Sequence, residues 1–384
     1  MENYLDFSSL FDRPGYDVVG PHTFLSFSNT WIVVVGRCNV EDIDVELTGD
    51  VSEEDELYVP SCVSTFKSLT KLELDLSKCK IILPNSVSLP RLKYLKLYNT
   101  KFDHDELTKL CANSPDLEHL DLRGVSSTAP LNITISSLSL KHFELRIGTS
   151  IRNTLRLYAP NLVHLVLSNL DSMFLEDVSS LVTADVGVPL KPRKLTDEFL
   201  TVHAPDTLKS QKSLHNVKEL TMSFRQLKDI RRVQEVLQKQ PFEFSNLQRL
   251  KLQKISLSTD SMHAIASIVK ISPVIESLKL ELCQNVETGD NYNYSDTDES
   301  GPASETTVNL EGLLADTMKQ LKSVKINGLQ GSDNELEFIQ ILMKNAMVLK
   351  KMILKRGYRS RIEKFYEVVG NLPSACSSMR IFFF

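Results

Sequence analysis

Along the chain, leucine and its apolar equivalents return in one short pattern, L-x-x-L-x-L, with polar residues between them. The pattern opens at Leu69 (LTKLEL), Leu92 (LKYLKL), Leu117 (LEHLDL), Leu140 (LKHFEL) and Leu162 (LVHLVL). It continues at Val217 (VKELTM), Leu247 (LQRLKL), Ile275 (IESLKL), Leu321 (LKSVKI) and Leu349 (LKKMIL). A degenerate copy begins at Leu181 (LVTADV), and NVEDIDVEL near Val40 reads as an earlier one. Copies in the first half lie 22–25 residues apart, and later ones 28–46 apart.

The two-residue alternation of L-x-L marks a short strand with one buried face. One such strand cannot bury its leucines by itself. Copies stacked side by side form a parallel sheet with a shared interior, and the period is that of leucine-rich repeats. The segments between strands must then cross back over the convex side, and several read as helices. DHDELTKLCANSP begins acidic at Asp103, spaces Leu107 and Leu110 three apart and stops at Pro115. RQLKDIRRVQEVLQKQP puts Leu227, Ile230, Val233 and Leu237 on one face, and STDSMHAIASIVKISP does the same with Met262, Ile265 and Val269. The repeated proline before the strands argues against a plain helical bundle. The expected fold class is α/β: a leucine-rich-repeat solenoid with a curved parallel sheet and convex helices and loops. The position three after the last strand leucine, where regular repeats often carry asparagine, holds Thr100, Val125, Gly148 and Leu170. An uninterrupted asparagine ladder is therefore not expected.

The register also sorts the polar residues. The third, fifth and seventh positions of each copy face the concave surface. The third carries Tyr94, His119, His142 and His164 in successive repeats, after Lys71. The seventh carries Tyr98, Arg123 and Arg146, and the fifth places Asp121 and Glu144 between the two columns. A carboxylate is thus placed to bridge each His–Arg pair. Further on, Lys251, Lys279 and Lys325 occupy the fifth position of successive repeats, with Arg249 and Lys355 close by and Glu281 as local partner. These residues are the candidate partner-binding positions, set against the plainer reading of a solvated, self-neutralised face. The histidines lie in a line rather than around a point, which argues against a metal site.

Two stretches interrupt the array. Residues 188–213 carry three prolines and many charges and read as a loop insertion. Residues 284–307 hold six acidic side chains and no Lys or Arg, with little to bury, and are expected to be disordered. The plainer reading is a solvated insertion. Ser295, ahead of Asp296 and Asp298, gives it a phosphoacceptor context, and the basic strip makes it a candidate autoinhibitory segment.

Composition adds exclusions. A net charge of −5 argues against a nucleic-acid partner. There is no apolar run of membrane-spanning length and no leader pattern at the start, so a cytoplasmic or nuclear location and no membrane partner are expected. The six cysteines are scattered, without C-x-x-C or nearby histidine at metal spacing, and read as small buried hydrophobes. No phosphate-binding loop, dinucleotide fingerprint, zinc-protease motif or nucleophile elbow is present. The reading is of a non-enzyme that needs no cofactor.

The C-terminal stretch, from MKQLKSVKINGLQGSDNELEFIQILMKN through KNAMVLKKMIL to LPSACSSMRIFF, resembles the FBD domain that closes many plant F-box/leucine-rich-repeat proteins. The matching features are a strand ending in a loop (Val324 to Gly328), a helix carrying Leu336, Ile339 and Leu342, and a second helix around Phe365 and Val369. WIVVVGRCNVEDIDVEL and LPRLKYLKLYNTKF look like the start of that family's repeats, so the resemblance covers about residues 24–384. It implies a substrate receptor of an SCF-type ubiquitin ligase, with a protein target as partner. Residues 1–40 lack the three-helix F-box pattern; they carry Pro14, Gly15, Gly20, Pro21 and the β-rich WIVVV instead. SCF components are therefore expected as partners only with an F-box upstream, and the alternative is a degenerate or truncated member acting as a decoy or without a partner. The expected organisation is a tail at 1–23, the repeat array at 24–283, the acidic insertion at 284–307 and an FBD-like cap at 308–384 that continues the solenoid.

Overall fold

The computed structural model describes residues 4–6, 40–46, 56–58, 67–75, 80–82, 88–101, 104–127, 130–148, 153–170, 172–187, 213–223, 243–283, 318, 320–358, 360 and 362–384. The acidic stretch 284–307, nearly all of the 188–213 insertion, the helix read at 225–241 and Cys38, Cys62 and Cys79 lie outside them. The chain divides into two compact units; among the described residues the first runs to Val217 and the second starts at Lys218.

The first unit holds β1 (Tyr4–Asp6), β2 (Asp42–Glu46), β3 (Glu56–Tyr58), β4 (Lys71–Asp75), β5 (Lys80–Ile82), β6 (Tyr94–Tyr98), α1 (His104–Ala112) and β7 (His119–Val125). It continues with β8 (Asn132–Ser136), β9 (His142–Ile147), β10 (Thr154–Tyr158), β11 (His164–Ser168), β12 (Ser172–Asp177) and β13 (Thr183–Val186). The repeat strands β1, β2, β4, β6, β7, β9, β11 and β13 pair side by side in that order, every pair parallel. The second unit holds β14 (Glu219–Ser223), β15 (Arg249–Ile255), α2 (Thr259–Lys270), β16 (Ser277–Leu282), β17 (Ser323–Leu329), α3 (Asp333–Asn345), β18 (Lys351–Arg356), α4 (Glu363–Gly370) and β19 (Arg380–Phe383). Its strands β14 to β19 form a parallel sheet in sequence order.

The core is the repeat pattern made solid. Leu92, Leu117, Leu140 and Leu162 open successive copies and are buried, as are Leu95, Leu120, Phe143 and Leu165 behind them. The degenerate copy keeps the plan with Leu181, Ala184 and Val186 buried. The prolines have a structural reason. Leu92, Leu117, Leu162 and Ile275 each donate their backbone N–H to the carbonyl three residues back, closing a tight turn. Pro90, Pro115, Pro160 and Pro273 sit at that turn's second position, where proline's fixed φ favours it.

Helices form where the sequence places them. In α2, Ser258 Oγ accepts from the Ser261 N–H, and Met262, Ile265 and Val269 face inward. In α3, Ser332 and Glu335 make a reciprocal capping box, and the Glu335 carboxylate also accepts from the Gln330 and Gly331 N–H groups. Ile339 and Leu342 are buried and Leu336 is half-buried. Not every crossing is a helix or a loop, however. After β7 the chain crosses back as strands, and β8, β10 and β12 form a separate parallel sheet in the order β12-β10-β8. The period-two burial of Ile133, Ile135, Leu155 and Leu157 is the reason: such short alternating runs bury one face as strands and cannot do so as helices.

The special repeat position lies one residue earlier than expected. Asn99, Gly124, Asn169, Lys254 and Gly328 each stand two after the last apolar residue of the L-x-x-L-x-L motif, and all have positive φ, from 48° to 90°. Strand register slips past Gly124, Lys254 and Gly328, so each of these three is a bulge one residue before its strand ends. Asn99 Nδ2 donates to the Asp75 carboxylate at 3.1 and 3.2 Å, and Asn169 Nδ2 donates to the Ile147 carbonyl.

A Cβ on Gly124 would have to adopt φ +67° and would meet Asn99 Oδ1 at 2.6 Å. Gly124→Ala is expected to lower unfolding free energy by about 1–2 kcal/mol, from the left-handed backbone alone. Gly148, at ordinary φ with its nearest neighbours at 3.6 Å, is the control and is expected to tolerate alanine. Urea titration of both variants checks this.

Candidate partner-binding surface

Neighbouring strands in a sheet lie about 4.8 Å apart, so equal repeat positions must form files across it. On the open face of the first unit, Tyr94 pairs in register with His119, His119 with His142 and His142 with His164. Their rings make one file, stacked between His119 and His142 and tilted at either end. Tyr94 and His119 centroids are 5.6 Å apart, His119 and His142 are parallel at 4.1 Å, and His142 and His164 are 5.9 Å apart. His164 Nδ1 lies 2.7 Å from the Thr183 hydroxyl of the next strand. Burial lowers the pKa of both His119 and His142, and each is lowered further by the adjoining histidine. Burial thus disfavours the charged form of His119 and of His142.

The other two files make an ion-pair network, and it differs from the expected His–carboxylate–Arg bridges. Asp121 and Glu144 are only 2% and 5% exposed, and they serve tyrosine and arginine. Arg123 Nε donates to Asp121 at 2.9 Å and its guanidinium reaches Glu144 at 3.0 Å. Arg146 donates to Glu144 at 2.5 Å, and the Tyr98 hydroxyl to Asp121 at 3.3 Å. Burial and the Asp121 charge push the Tyr98 phenol up to about 12. The physical reason is reach: arginine is long enough to cover both its own strand's carboxylate and its neighbour's, while the imidazoles gain more by stacking. Arg123 also lies 5.7 Å from the Tyr98 ring centre. Earlier in the sheet, Glu73 accepts from Lys96 at 2.8 Å and Lys71 at 3.1 Å. Burial works against the Glu73 charge, and the two lysines overcome it and hold the carboxyl below its usual range.

On the open face of the second unit, Lys251, Lys279 and Lys325 stand opposite one another on β15, β16 and β17. Glu281 takes Lys279 at 2.8 Å and Lys251 at 3.2 Å. Lys325 is pulled below the usual lysine range by burial first, then by Lys355 and Lys279. Arg249 is tied to Glu219 on the neighbouring strand. A feature missing from the sequence reading lies beside them: Lys351 and Lys355 sit over the Phe382 and Phe384 rings, at 5.6 and 5.3 Å from the ring centres. The alternate spacing of those phenylalanines was its only sequence signal.

Among the described residues no group of His, Cys, Asp or Glu is arranged to hold a metal, and no helix is long and apolar enough to cross a membrane. Of the described cysteines, Cys111 is buried, its thiol pushed up to about 12 by burial. Cys283 and Cys376 are only half-buried, so they depart from the small-hydrophobe expectation.

Removing Arg123 takes from the buried Asp121 and Glu144 the cation they share, while Glu144 keeps Arg146, and Arg123→Ala is expected to cost about 1–3 kcal/mol in urea unfolding at neutral pH. His119 and His142 give a pH dependence of known sign. Their folded pKa values lie below the unfolded one, so the unfolded chain binds more protons as pH falls through about 6.5. Stability is therefore expected to fall from pH 7.5 to 5.5, and the slope to flatten in His119→Phe/His142→Phe, read from urea midpoints at each pH.

Comparison with known proteins fits this geometry. Residues 28–184 match the leucine-rich repeats of the family described as FBD-associated F-box protein At5g56370, and residues 318–354 match the FBD family. The chain is similar to F-box/LRR-repeat protein 13 of Arabidopsis thaliana, 26% identical over 374 residues, which is 92% of this chain and 76% of that protein. It is also similar to F-box/FBD/LRR-repeat protein At5g44980 of Arabidopsis thaliana, 26% identical over 314 residues, which is 77% of this chain and 65% of that protein. With a parallel leucine-rich-repeat sheet in each unit and an FBD match over β17 and α3, the chain is similar to the FBD-associated F-box/leucine-rich-repeat proteins in both its repeats and its C-terminal part.

Proposed function

We propose that the chain is a protein-recognition module that acts as the target-binding part of an SCF-type ubiquitin-ligase receptor, working in the cytoplasm or nucleus. The observation that carries this reading is the stacked file of Tyr94, His119, His142 and His164 on an open sheet face, braced by the Tyr98–Asp121–Arg123–Glu144–Arg146 network. Partner-binding hot spots are rigid aromatic and arginine side chains that give up little rotamer freedom on binding. Here the rings are ordered by one another, and the arginines by two buried carboxylates, before any partner arrives. Similarity to F-box/leucine-rich-repeat proteins, which are typically non-enzymatic, supports the adaptor role. Target capture falls to Tyr94, Tyr98, His119, Arg123, His142, Arg146 and His164. Transfer of ubiquitin needs an F-box to hold a Skp-type adaptor.

The experiment is affinity capture from native extract with the immobilised chain, beside a Tyr94→Ser/His119→Ser/His142→Ser variant. A specific target is expected to be enriched by the parent chain and depleted about tenfold or more by the variant, the loss of one or two hot spots. Co-recovery of adaptor and cullin subunits supports ligase membership. An identical set of proteins on both baits contradicts the proposal.

A further inference from the structure

The open face of the second unit has a charge imbalance that the network in the first unit does not. Strands β17, β18 and β19 carry no aspartate or glutamate at all. Lys325, Lys351 and Lys355 stand on them, and the nearest carboxylate in register, Glu281 on β16, is already shared by Lys251 and Lys279. Lys325 sits between the Lys279 strand and the strand that carries Lys351 and Lys355. Like charges at such spacing are unfavourable until a counter-charge arrives. Two neutral donors adjoin them: Ser277 and Ser323 are opposite each other in register, two residues before Lys279 and Lys325 and therefore on the same face. Past the lysines, Phe382 and Phe384 complete the patch with half-exposed aromatic surface.

We propose that this patch docks a phosphorylated serine or threonine segment of a partner protein, with the phosphate held among Lys325, Lys351 and Lys355. The chemistry favours phosphate over carboxylate. Glu281 shows what one carboxylate does here: it takes two lysines and is then used up. A phosphate monoester brings about −1.5 to −2 charges and three acceptor oxygens to one point. That matches several ammonium groups fixed one strand apart with serine hydroxyls in the adjoining file. Lysine suits it as a point-charge partner. The phenylalanines give an apolar side chain next to the phosphorylated residue a surface to rest on.

A polyanion such as nucleic acid fits less well. The overall charge of −5 opposes long-range attraction of a highly charged strand. A short segment with a single phosphate needs only the local lysines. The inference rests on reading the open sheet faces as recognition surfaces, and its test uses different residues from those of the first unit.

The test is retention of synthetic peptide pools on the immobilised full chain, read by mass spectrometry at about 0.15 M salt, where surface charge is screened beyond about 8 Å. Three pools share random flanks and differ only at the centre: phosphoserine, glutamate or serine. The phosphoserine pool is expected to be retained about tenfold over the serine pool, the effect of a few charge-assisted hydrogen bonds. Lys325→Gln/Lys355→Gln is expected to abolish that preference. Glu281→Gln, which removes the competing carboxylate, is expected to raise phosphoserine retention, a gain that misfolding cannot imitate. Equal retention of all three pools overturns the proposal, as does a glutamate pool held as well as the phosphoserine pool, or a preference that survives the lysine replacements. Any of these results leaves the Tyr94–His164 file and its capture experiment unaffected.

Discussion

Everything in this chain depends on one constraint: a strand of the form L-x-x-L-x-L has too little apolar surface to fold by itself and must share its interior with the strand beside it. The sharing is strict. Leu120 of β7 stands opposite Phe143 of β9, and that opposite Leu165 of β11, each buried. Because side chains alternate across a strand, a slip of one residue would turn this row outward and bring the polar row in. Burial of the leucines therefore fixes the position of every polar residue between them. The open face is a consequence of the core.

That is why the fold and the files were legible in the sequence, and why particular parts were not. The Leu117, Leu140 and Leu162 copies carry both periods in plain sight, so the alignment of His119, His142 and His164 could be read before any coordinates. The proline turns and the α2 and α3 helices were equally visible, in Pro115, in the stripe of Met262, Ile265 and Val269, and in Leu336, Ile339 and Leu342. The crossings after β7 were harder. Ile133–Ile135 and Leu155–Leu157 each alternate for a few residues only, and a run that short declares itself as a strand only when a neighbouring one is there to pair with it. The bulge column was missed because its residues share a backbone angle and not a side chain. Asn99, Gly124, Asn169 and Lys254 look unrelated until φ is known.

The polar face itself was legible in position but not in partnership. Sequence spacing put Asp121 between His119 and Arg123 without saying which one it would bond. The choice follows from length and desolvation. Arg123 reaches Asp121 and Glu144 together, and two carboxylates buried on the open face need that cation more than the imidazoles do. The histidines, relieved of the carboxylates, are left to stack. The second unit shows the opposite outcome, in which one acid, Glu281, serves two lysines of the file and, among the described residues, the surplus is positive. One repeat plan thus produces a face neutralised from within and a face that awaits a counter-charge.

The account stands or falls on whether successive repeats hold His119 and His142 ring on ring. Proton NMR of the histidine rings addresses this directly, through cross-relaxation between their carbon-bound protons and through their titration curves. Rings at 4.1 Å, parallel and half-buried, predict a strong cross-peak between the two residues and titration midpoints depressed from the ordinary imidazole value. Two histidines with no cross-peak, each titrating independently near about 6.5 as a solvated side chain does, would contradict the shared register and the surface built on it.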